Sequence, residues 1–215
     1  MRLDMTDSCC GCGKTIDVAA LEARQRRVLS IVLAINLATF LMMIAAAWYS
    51  RSTSLLSGSL DNLGDAATYA LSLLVVGASA RAKAQVALVK GLLILAAAAA
   101  VAVQLGWRLA HPAVPLFETI GIAGLLNLGA NLVCLRLLTP YRAGDVNLAS
   151  AWECSRNDVY EGLAVLAAAA GVWLFGAGWP DLLVGATLLL LFLRSAWRVL
   201  SSAWSAWRAT APGHA

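Results

Sequence analysis

The sequence predicts an all-α membrane protein that crosses the bilayer with six transmembrane helices and keeps both termini in the cytoplasm. The first indication is composition, because 60% of the 215 residues are hydrophobic and 13% are charged, whereas about 25% of residues in soluble domains are charged. The second is the grouping of the apolar residues into six runs, each reaching the roughly 20 residues that cross a bilayer. The third is the placement of the basic residues, which predicts the orientation.

The six predicted spans follow one another with short links between them. The first contains no charge, the second carries two aspartates in its first half, and the fifth is the most polar. They lie at residues 28–49, 57–80, 86–107, 117–138, 148–175 and 180–200, so that residues 28–200 form the transmembrane domain. Residues 1–27 form a cytoplasmic tail, and the apolar run after it is too long for a signal peptide. Residues 201–215 form a short cytoplasmic tail whose tryptophans favour the lipid surface.

Basic residues are distributed unequally between the two ends of the spans. Thirteen Lys and Arg residues fall on the side of the termini, and only Arg51 and Arg108 fall on the other side. Because cytoplasmic flanks carry the excess of Lys and Arg, both termini are predicted to be cytoplasmic. The net charge of +4 does not indicate a nucleic-acid partner, since the basic residues mark span ends. We expect an integral protein of a bacterial inner membrane.

Two pairs of possible metal ligands lie within predicted spans. Asp61 and Asp65 are four residues apart in the second span, and Cys154 and Asp158 have the same spacing in the fifth. In a helix, residues at this spacing lie on one face, one turn apart. A carboxylate at membrane depth costs several kcal/mol unless it faces a partner, water or an ion. The four side chains therefore predict a tetrahedral cation site between two helices.

The aspartates of the second span belong to a polar stripe along one helix face. The stripe consists of Ser57, Asp61, Asp65, Thr68 and Ser72. Ser and Thr alone would usually mean hydrogen bonding between neighbouring helices, but two acids within one turn favour an ion pathway or a proton relay. Asn36, Asn127 and Asn131 also fall in spans, and intramembrane asparagines more often join helices than bind ions.

The fifth span continues the polar face beyond the Cys–Asp pair. Ser150, Cys154, Asp158 and Glu161 share this face, so the helix is predicted to be interior. A single cysteine is more often a small buried apolar residue than a ligand, but its position one turn from Asp158 favours coordination. Glu161 could act as a proton relay near the site, or it could serve packing.

Three cysteines, Cys9, Cys10 and Cys12, lie close together in the N-terminal tail. Thiolates prefer soft ions such as Zn²⁺, Cd²⁺ and Cu⁺, so the tail could capture metal for the transmembrane site. The spacing is not that of a zinc finger, because no second cysteine pair follows. An irregular chain end is the other interpretation.

The two spaced motifs resemble those of the cation diffusion facilitators, which are six-span, proton-coupled exporters of divalent metals. The stretch Leu-Ser-Gly-Ser-Leu-Asp-Asn-Leu-Gly-Asp-Ala at residues 56–66 is similar to the family's second-span motif. Ala-Trp-Glu-Cys-Ser-Arg-Asn-Asp at residues 151–158 is similar to its fifth-span His-x-x-x-Asp motif. The resemblance covers residues 26–205 and implies that Asp61, Asp65, Cys154 and Asp158 bind the transported metal. It also implies a secondary transporter rather than an enzyme.

Three departures from the family pattern affect these expectations. Cys154 stands where the family usually has histidine, the family's cytoplasmic C-terminal domain has no counterpart, and the histidine-rich loop of some zinc exporters is replaced by a short link. The C-terminal domain helps most members to dimerise, so we expect a homodimer formed through the transmembrane part instead.

The resemblance implies exchange of a divalent cation for protons, with no bound cofactor. Three oxygens and one sulfur suit Zn²⁺ or Cd²⁺ better than Mg²⁺ or Ca²⁺, which prefer more oxygen ligands. Two alternatives remain at this point. One is a membrane thiol oxidoreductase, which would need paired cysteines that can exchange. The other is a metal-binding membrane sensor that does not transport.

Overall fold

The computed structural model describes residues 18–74, 80–142 and 146–209. These residues form six α-helices and one 3₁₀ turn, with no strand among them. The helices are α1 (Val18–Ser50), α2 (Thr53–Leu74), α3 (Ala80–Ala110), α4 (Phe117–Leu138), α5 (Val146–Phe175) and α6 (Trp179–Ala209), with the 3₁₀ turn at Thr139–Tyr141. The predicted all-α class is confirmed. Cys9, Cys10 and Cys12 lie outside the described residues.

The helices agree with the predicted spans in order but extend further at several ends. The limits of α4 coincide with the fourth predicted span, whereas α1 begins at Val18, ten residues before the first one. Arg24, Arg26 and Arg27 lie on this extension and are exposed. At the other end of the chain α6 continues to Ala209, through most of the predicted C-terminal tail.

Five helical segments in the described part of the chain are long and apolar enough to cross a membrane. They are Ala23–Ser50, Gly91–Ala110, Phe117–Tyr141, Ala151–Phe175 and Trp179–Trp197. The helix α2 is not among them, because its serines, threonines, asparagine and aspartates lower its hydropathy. Membrane insertion of α2, and with it the six-span count and the orientation of the termini, stays a prediction.

The polar helix α2 lies at the centre of the helix arrangement. It contacts all five other helices, most extensively α1, while α3 packs mainly on α6 and α4 mainly on α5. Large exposed apolar side chains occur on the other five helices, and none of those described belongs to α2. The described part of the polar stripe, from Ser57 to Thr68, is therefore turned toward protein, whereas the surrounding helices present apolar side chains outward.

Two apolar clusters pack the helices against one another at different levels of the bundle. One contains the buried residues Leu29, Val32, Tyr69, Cys134, Leu138 and Ala151. The other contains Met43, Ala47, Leu55, Ile120, Ala123, Val165 and Ala169. The first lies toward the N-terminal end of α1 and the second toward its C-terminal end. The acidic residues of α2, at positions 61 and 65, fall between Leu55 of the second cluster and Tyr69 of the first.

The start of α2 is held by an acid from α6. Ser52 precedes the first helical residue, and its hydroxyl oxygen accepts a hydrogen bond from Leu55 N at 3.1 Å. The amides of Thr53 and Ser54 donate to the carboxylate of Asp181, at 2.7 and 3.2 Å. Both serine hydroxyls donate to Asp181 as well, each at 2.6 Å. The first amides of α2, which lack partners within the helix, are satisfied in this way.

Candidate metal site

The contacts between α2 and α5 show that the two helices run antiparallel with their polar faces together. A Cβ placed on Gly58 would lie 3.4 Å from Oε1 of Glu161. One turn further along α2, Asp61 interacts with both Glu161 and Asp158. Two turns beyond that, Tyr69 interacts with Cys154. Successive residues along α2 thus meet progressively earlier residues of α5. This antiparallel arrangement brings the two predicted ligand pairs to the same level of the helix bundle.

Three carboxyl groups meet where Asp61 faces α5. The Asp61 side chain shares hydrogen bonds with Asp158 and with Glu161. Asp158 is only 5% exposed, and its Oδ2 has no hydrogen-bond partner among the described residues. The same holds for Oε1 of Glu161. A hydrogen bond between two carboxyl groups needs a shared proton, so this arrangement of the three acids requires protonated carboxyl groups.

Asp65 lies one turn away and is held by a tyrosine. Its Oδ2 accepts a hydrogen bond of 3.0 Å from the hydroxyl of Tyr69, and Asp65 is 9% exposed. Asp65 also interacts electrostatically with Asp158 and with Cys134 of α4. The thiol of Cys154, half-buried on α5, interacts with Tyr69. Tyr69 is therefore hydrogen-bonded to the ligand pair of α2 and interacts electrostatically with that of α5.

The side chains do not form a closed metal cage in this conformation. Among the described residues, no group of three or more His, Cys, Asp and Glu side chains is arranged to hold an ion. The carboxyls are engaged with one another and with Tyr69 instead. The predicted ligands Asp61, Asp65, Cys154 and Asp158 are thus brought to one region, while their coordination of a metal stays a prediction.

The hydroxyls of the polar stripe bond to their own helix rather than to the acids. Ser57 donates to the carbonyl of Thr53 at 3.1 Å, and Thr68 donates to that of Gly64 at 2.7 Å. Ser and Thr hydroxyls within a helix commonly donate in this way to the carbonyl oxygen four residues earlier. These two hydroxyls are therefore not the groups that hold the acids in place.

A hydrogen bond between two asparagine side chains joins α2 to α4. The Asn62 side-chain nitrogen donates to the Asn127 side-chain oxygen at 2.8 Å, and both residues are buried. This confirms that Asn127 joins helices. Asn36 instead donates to the carbonyl of Val32 in its own helix.

Arg156 is the basic residue nearest to the predicted ligands of α5 in the sequence, and it points away from them. Its side chain is exposed, with the guanidinium carbon 5.2 Å from the centre of the Trp152 ring. Because it stacks on this ring, its charge is directed toward the surface of the bundle.

Two residues important to this region were not anticipated from the sequence. Tyr69 follows Asp61 and Asp65 at the same four-residue step, so the spacing itself could have indicated it. Asp181 carries no such signal, because its partners Ser52 to Ser54 lie more than 120 residues away. Its role depends on the packing of α6 against the start of α2.

Residues 29–206 match the family model of the cation efflux transmembrane domain. The chain belongs to the cation diffusion facilitator family. The match covers most of the 215 residues and includes all of α2 to α5 and most of α1 and α6, so this cation diffusion facilitator is an integral membrane protein that serves metal cation efflux. Members are transporters rather than enzymes, which makes the thiol oxidoreductase alternative wrong. No curated protein matches the chain.

Proposed function

We propose that the protein exports a divalent transition or heavy metal cation in exchange for protons, with Asp61, Asp65, Cys154 and Asp158 as ligands. The observation that carries this proposal is the convergence of buried acids from two antiparallel helices, with Oδ2 of Asp158 lacking a hydrogen-bond partner among the described residues. The family match supports the transport of a metal cation. The ligand set and the coupling to protons are inferred from the side chains.

Proton coupling follows from the closeness of the acids. Asp61, Asp65, Asp158 and Glu161 influence one another electrostatically, and ionising all of them together in a medium of low dielectric constant is very unfavourable. Protons shared between the carboxyls relieve this repulsion when no cation is bound. A divalent cation takes over the same role, and it displaces the protons because metal ligands bind in their deprotonated form.

Glu161 has a distinct place in this exchange. It contacts Asp61 from one turn further along α5 than Asp158, beside the backbone of Gly58. By the predicted orientation this is the outer side of the ligand set. We assign Glu161 the role of a relay that exchanges protons between the outside and Asp61, rather than that of a metal ligand.

The proposed ligands favour Zn²⁺ or Cd²⁺ as substrate. Three carboxylates and one thiolate provide the few, partly soft ligands that these ions accept, whereas Mg²⁺ and Ca²⁺ prefer six or more oxygens. The thiolate of Cys154, in place of the histidine usual in the family, favours Cd²⁺. The transporter is proposed to work as a homodimer assembled through its transmembrane part.

Ion flux in vesicles tests the proposal. Purified protein in proteoliposomes is given a pH gradient, and the uptake of Zn²⁺, Cd²⁺, Mn²⁺, Mg²⁺ and Ca²⁺ is followed with a dye. We expect uptake of Zn²⁺ or Cd²⁺ that depends on the gradient. Metal binding without flux would instead support the alternative of a metal-binding membrane sensor that does not transport.

Asp158→Ala is the variant that tests the site. It should abolish flux while the protein keeps its helical content, since it removes a buried ligand. Glu153→Ala is the matched control, because Glu153 lies on the same helix but is exposed, and it should keep full flux. Full flux in Asp158→Ala would refute the proposed ligand set.

A further inference from the structure

Arg108 places a buried positive charge in the last turn of α3. Its side chain is 6% exposed, and its Nη2 donates to the carbonyl oxygen of Ala113 at 2.8 Å. The Nε of the same guanidinium is buried and has no hydrogen-bond partner among the described residues. A guanidinium has five N–H donors, and burying a charge is costly unless it is paired. A buried guanidinium with an unused donor is suited to bind an anion.

The guanidinium lines a cleft between the end of α3 and the start of α6. The cleft has a volume of about 360 Å³, and the residues that line it together with Arg108 are uncharged, among them Pro112, Val114, Gly178, Trp179 and Leu182. Asp181 is close to this wall in the sequence, but its carboxylate accepts hydrogen bonds from the amides at the start of α2. The described wall of the cleft therefore carries one positive charge and no negative charge.

Two links between helices give the cleft a fixed shape. A Cβ on Gly178 would lie 2.5 Å from the carbonyl oxygen of Ala113, so glycine is needed for the α5–α6 link to approach the α3–α4 link this closely. Gly176 has a φ of +58°, which glycine adopts readily. The carbonyl of Ala113 is also the acceptor for Arg108. The two links and the guanidinium are thus packed together before any ligand binds.

The cleft lies where two candidate membrane spans end. Gly91–Ala110 ends beside it, and Trp179–Trp197 begins in its wall. Large apolar side chains of the wall are exposed, namely Leu109, Val114 and Trp179. Tryptophan is enriched at the membrane–water interface. A ligand of this cleft would meet a buried cation and an apolar edge, which matches the phosphate group and the acyl chains of a phospholipid.

We propose that the cleft binds the headgroup of an anionic phospholipid, with Arg108 binding its phosphate. Guanidinium groups match the geometry of phosphate oxygens and form charge-assisted hydrogen bonds with them. A headgroup with a net negative charge is favoured over a zwitterionic one, because the described wall offers no acid to an ammonium group. The bound lipid contacts the ends of both α3 and α6, so it adds to the packing of these two helices. The inference does not depend on the proposed metal site.

Native mass spectrometry of the purified protein in detergent tests the inference. Phosphatidylglycerol is titrated, and the dissociation constant of the first bound lipid is compared with those of phosphatidylcholine and diacylglycerol with the same chains. Phosphatidylglycerol should bind at least about tenfold more tightly than diacylglycerol, because hydrogen bonds to charged groups are the strong ones. It should also bind more tightly than phosphatidylcholine. Equal binding of phosphatidylglycerol and either other lipid would overturn the inference.

Arg108→Gln removes the charge and should weaken the binding of phosphatidylglycerol at least about tenfold. Arg51→Gln is the matched control, because Arg51 is predicted to lie on the same side of the membrane and is exposed. It should leave the dissociation constant unchanged. Equal losses in the two variants would indicate attraction by overall charge, and no loss in Arg108→Gln would exclude Arg108. Either result would refute the site.

Val114→Glu decides the question if Arg108→Gln does not fold. Val114 lines the cleft and is exposed, so a carboxylate there repels the phosphate without disturbing the interior. Binding of phosphatidylglycerol should weaken at least about fivefold, and unchanged binding would contradict the inference.

Inorganic phosphate identifies the source of the phosphate group. It lacks the acyl chains, so the wild-type protein should bind it far more weakly than phosphatidylglycerol. If inorganic phosphate binds as tightly as the lipid, the cleft is a site for a free anion and the lipid is the wrong ligand.

Discussion

Replacing Asp181 with alanine should destabilise the protein more than any other single change near the start of α2. Its carboxylate accepts hydrogen bonds from the amides of Thr53 and Ser54 and from the hydroxyls of Ser52 and Ser54. Asp181 is 1% exposed, so water cannot easily take its place. It also places a negative charge at the N-terminus of α2, where the helix dipole favours one.

The size of the effect follows from which donors can find new partners. The oxygens of Ser52 and Ser54 are 3.2 Å apart, so these hydroxyls can bond to each other once the carboxylate is gone. The two amides have no such choice, and each buried donor left without a partner costs about 1–3 kcal/mol. Asp181→Ala should therefore lower the free energy of unfolding by roughly 2–6 kcal/mol.

Thermal unfolding in detergent, followed by circular dichroism, measures this loss. At about 2–4 °C per kcal/mol for a chain of this size, the midpoint should fall by at least about 4 °C. Glu118→Ala is the control, because Glu118 is also an acid in the first turn of a helix, α4, but is exposed. If the two variants unfold at the same temperature, Asp181 does not hold α2 in the way described.

Four further predictions concern the site, the packing and the tail. Cys154→His should shift the flux preference from Cd²⁺ toward Zn²⁺, because imidazole is a harder ligand than thiolate, and an unchanged flux ratio would argue against Cys154 as a ligand. Gly185→Ala should destabilise by about 1–3 kcal/mol, because its Cβ would lie 2.7 Å from Cγ2 of Thr53. Gly129→Ala, with open space around the added Cβ, should instead stabilise the protein by up to about 1 kcal/mol. If the two glycine variants shifted the unfolding midpoint equally, this reasoning would be contradicted. Replacing the three tail cysteines with serine should leave at least partial flux, and complete loss would show that the tail is indispensable. The apparent dissociation constant for Zn²⁺, from dye competition, should rise about tenfold per pH unit for each displaced proton as the pH falls, and no pH dependence would refute proton exchange.

Much of the helix arrangement could be predicted because apolar runs and their charged ends are local features. The limits of α4 were predicted to the residue. The helix α1 begins ten residues before the first predicted span, because hydropathy marks where a helix enters the membrane rather than where it begins. Residues 18–27 mix apolar and charged side chains and contain good helix formers such as Ala, Leu, Glu and Arg.

The candidate site was only partly predictable. Four-residue spacing placed Asp61 with Asp65, and Cys154 with Asp158, on single helix faces. Residue spacing within one helix does not determine the axial register between two antiparallel helices. The closeness of Asp61 to Glu161, and the electrostatic interaction of Tyr69 with Cys154, depend on that register. These two interactions therefore follow from the packed structure and not from the spacing within either helix.

The central position of α2 explains how a helix that is not apolar enough to count among the candidate membrane spans can carry two of the proposed ligands. Its 22 residues extend about 33 Å at 1.5 Å per residue, which is enough to cross the hydrocarbon layer. A helix with this many polar groups would be expelled from lipid if it stood alone. Contacts with all five other helices shield it, and the cap from Asp181 satisfies its first amides. The surrounding helices thus provide the environment in which two aspartates can lie within one turn, and in the proposed transport cycle protons or a cation would balance their charge.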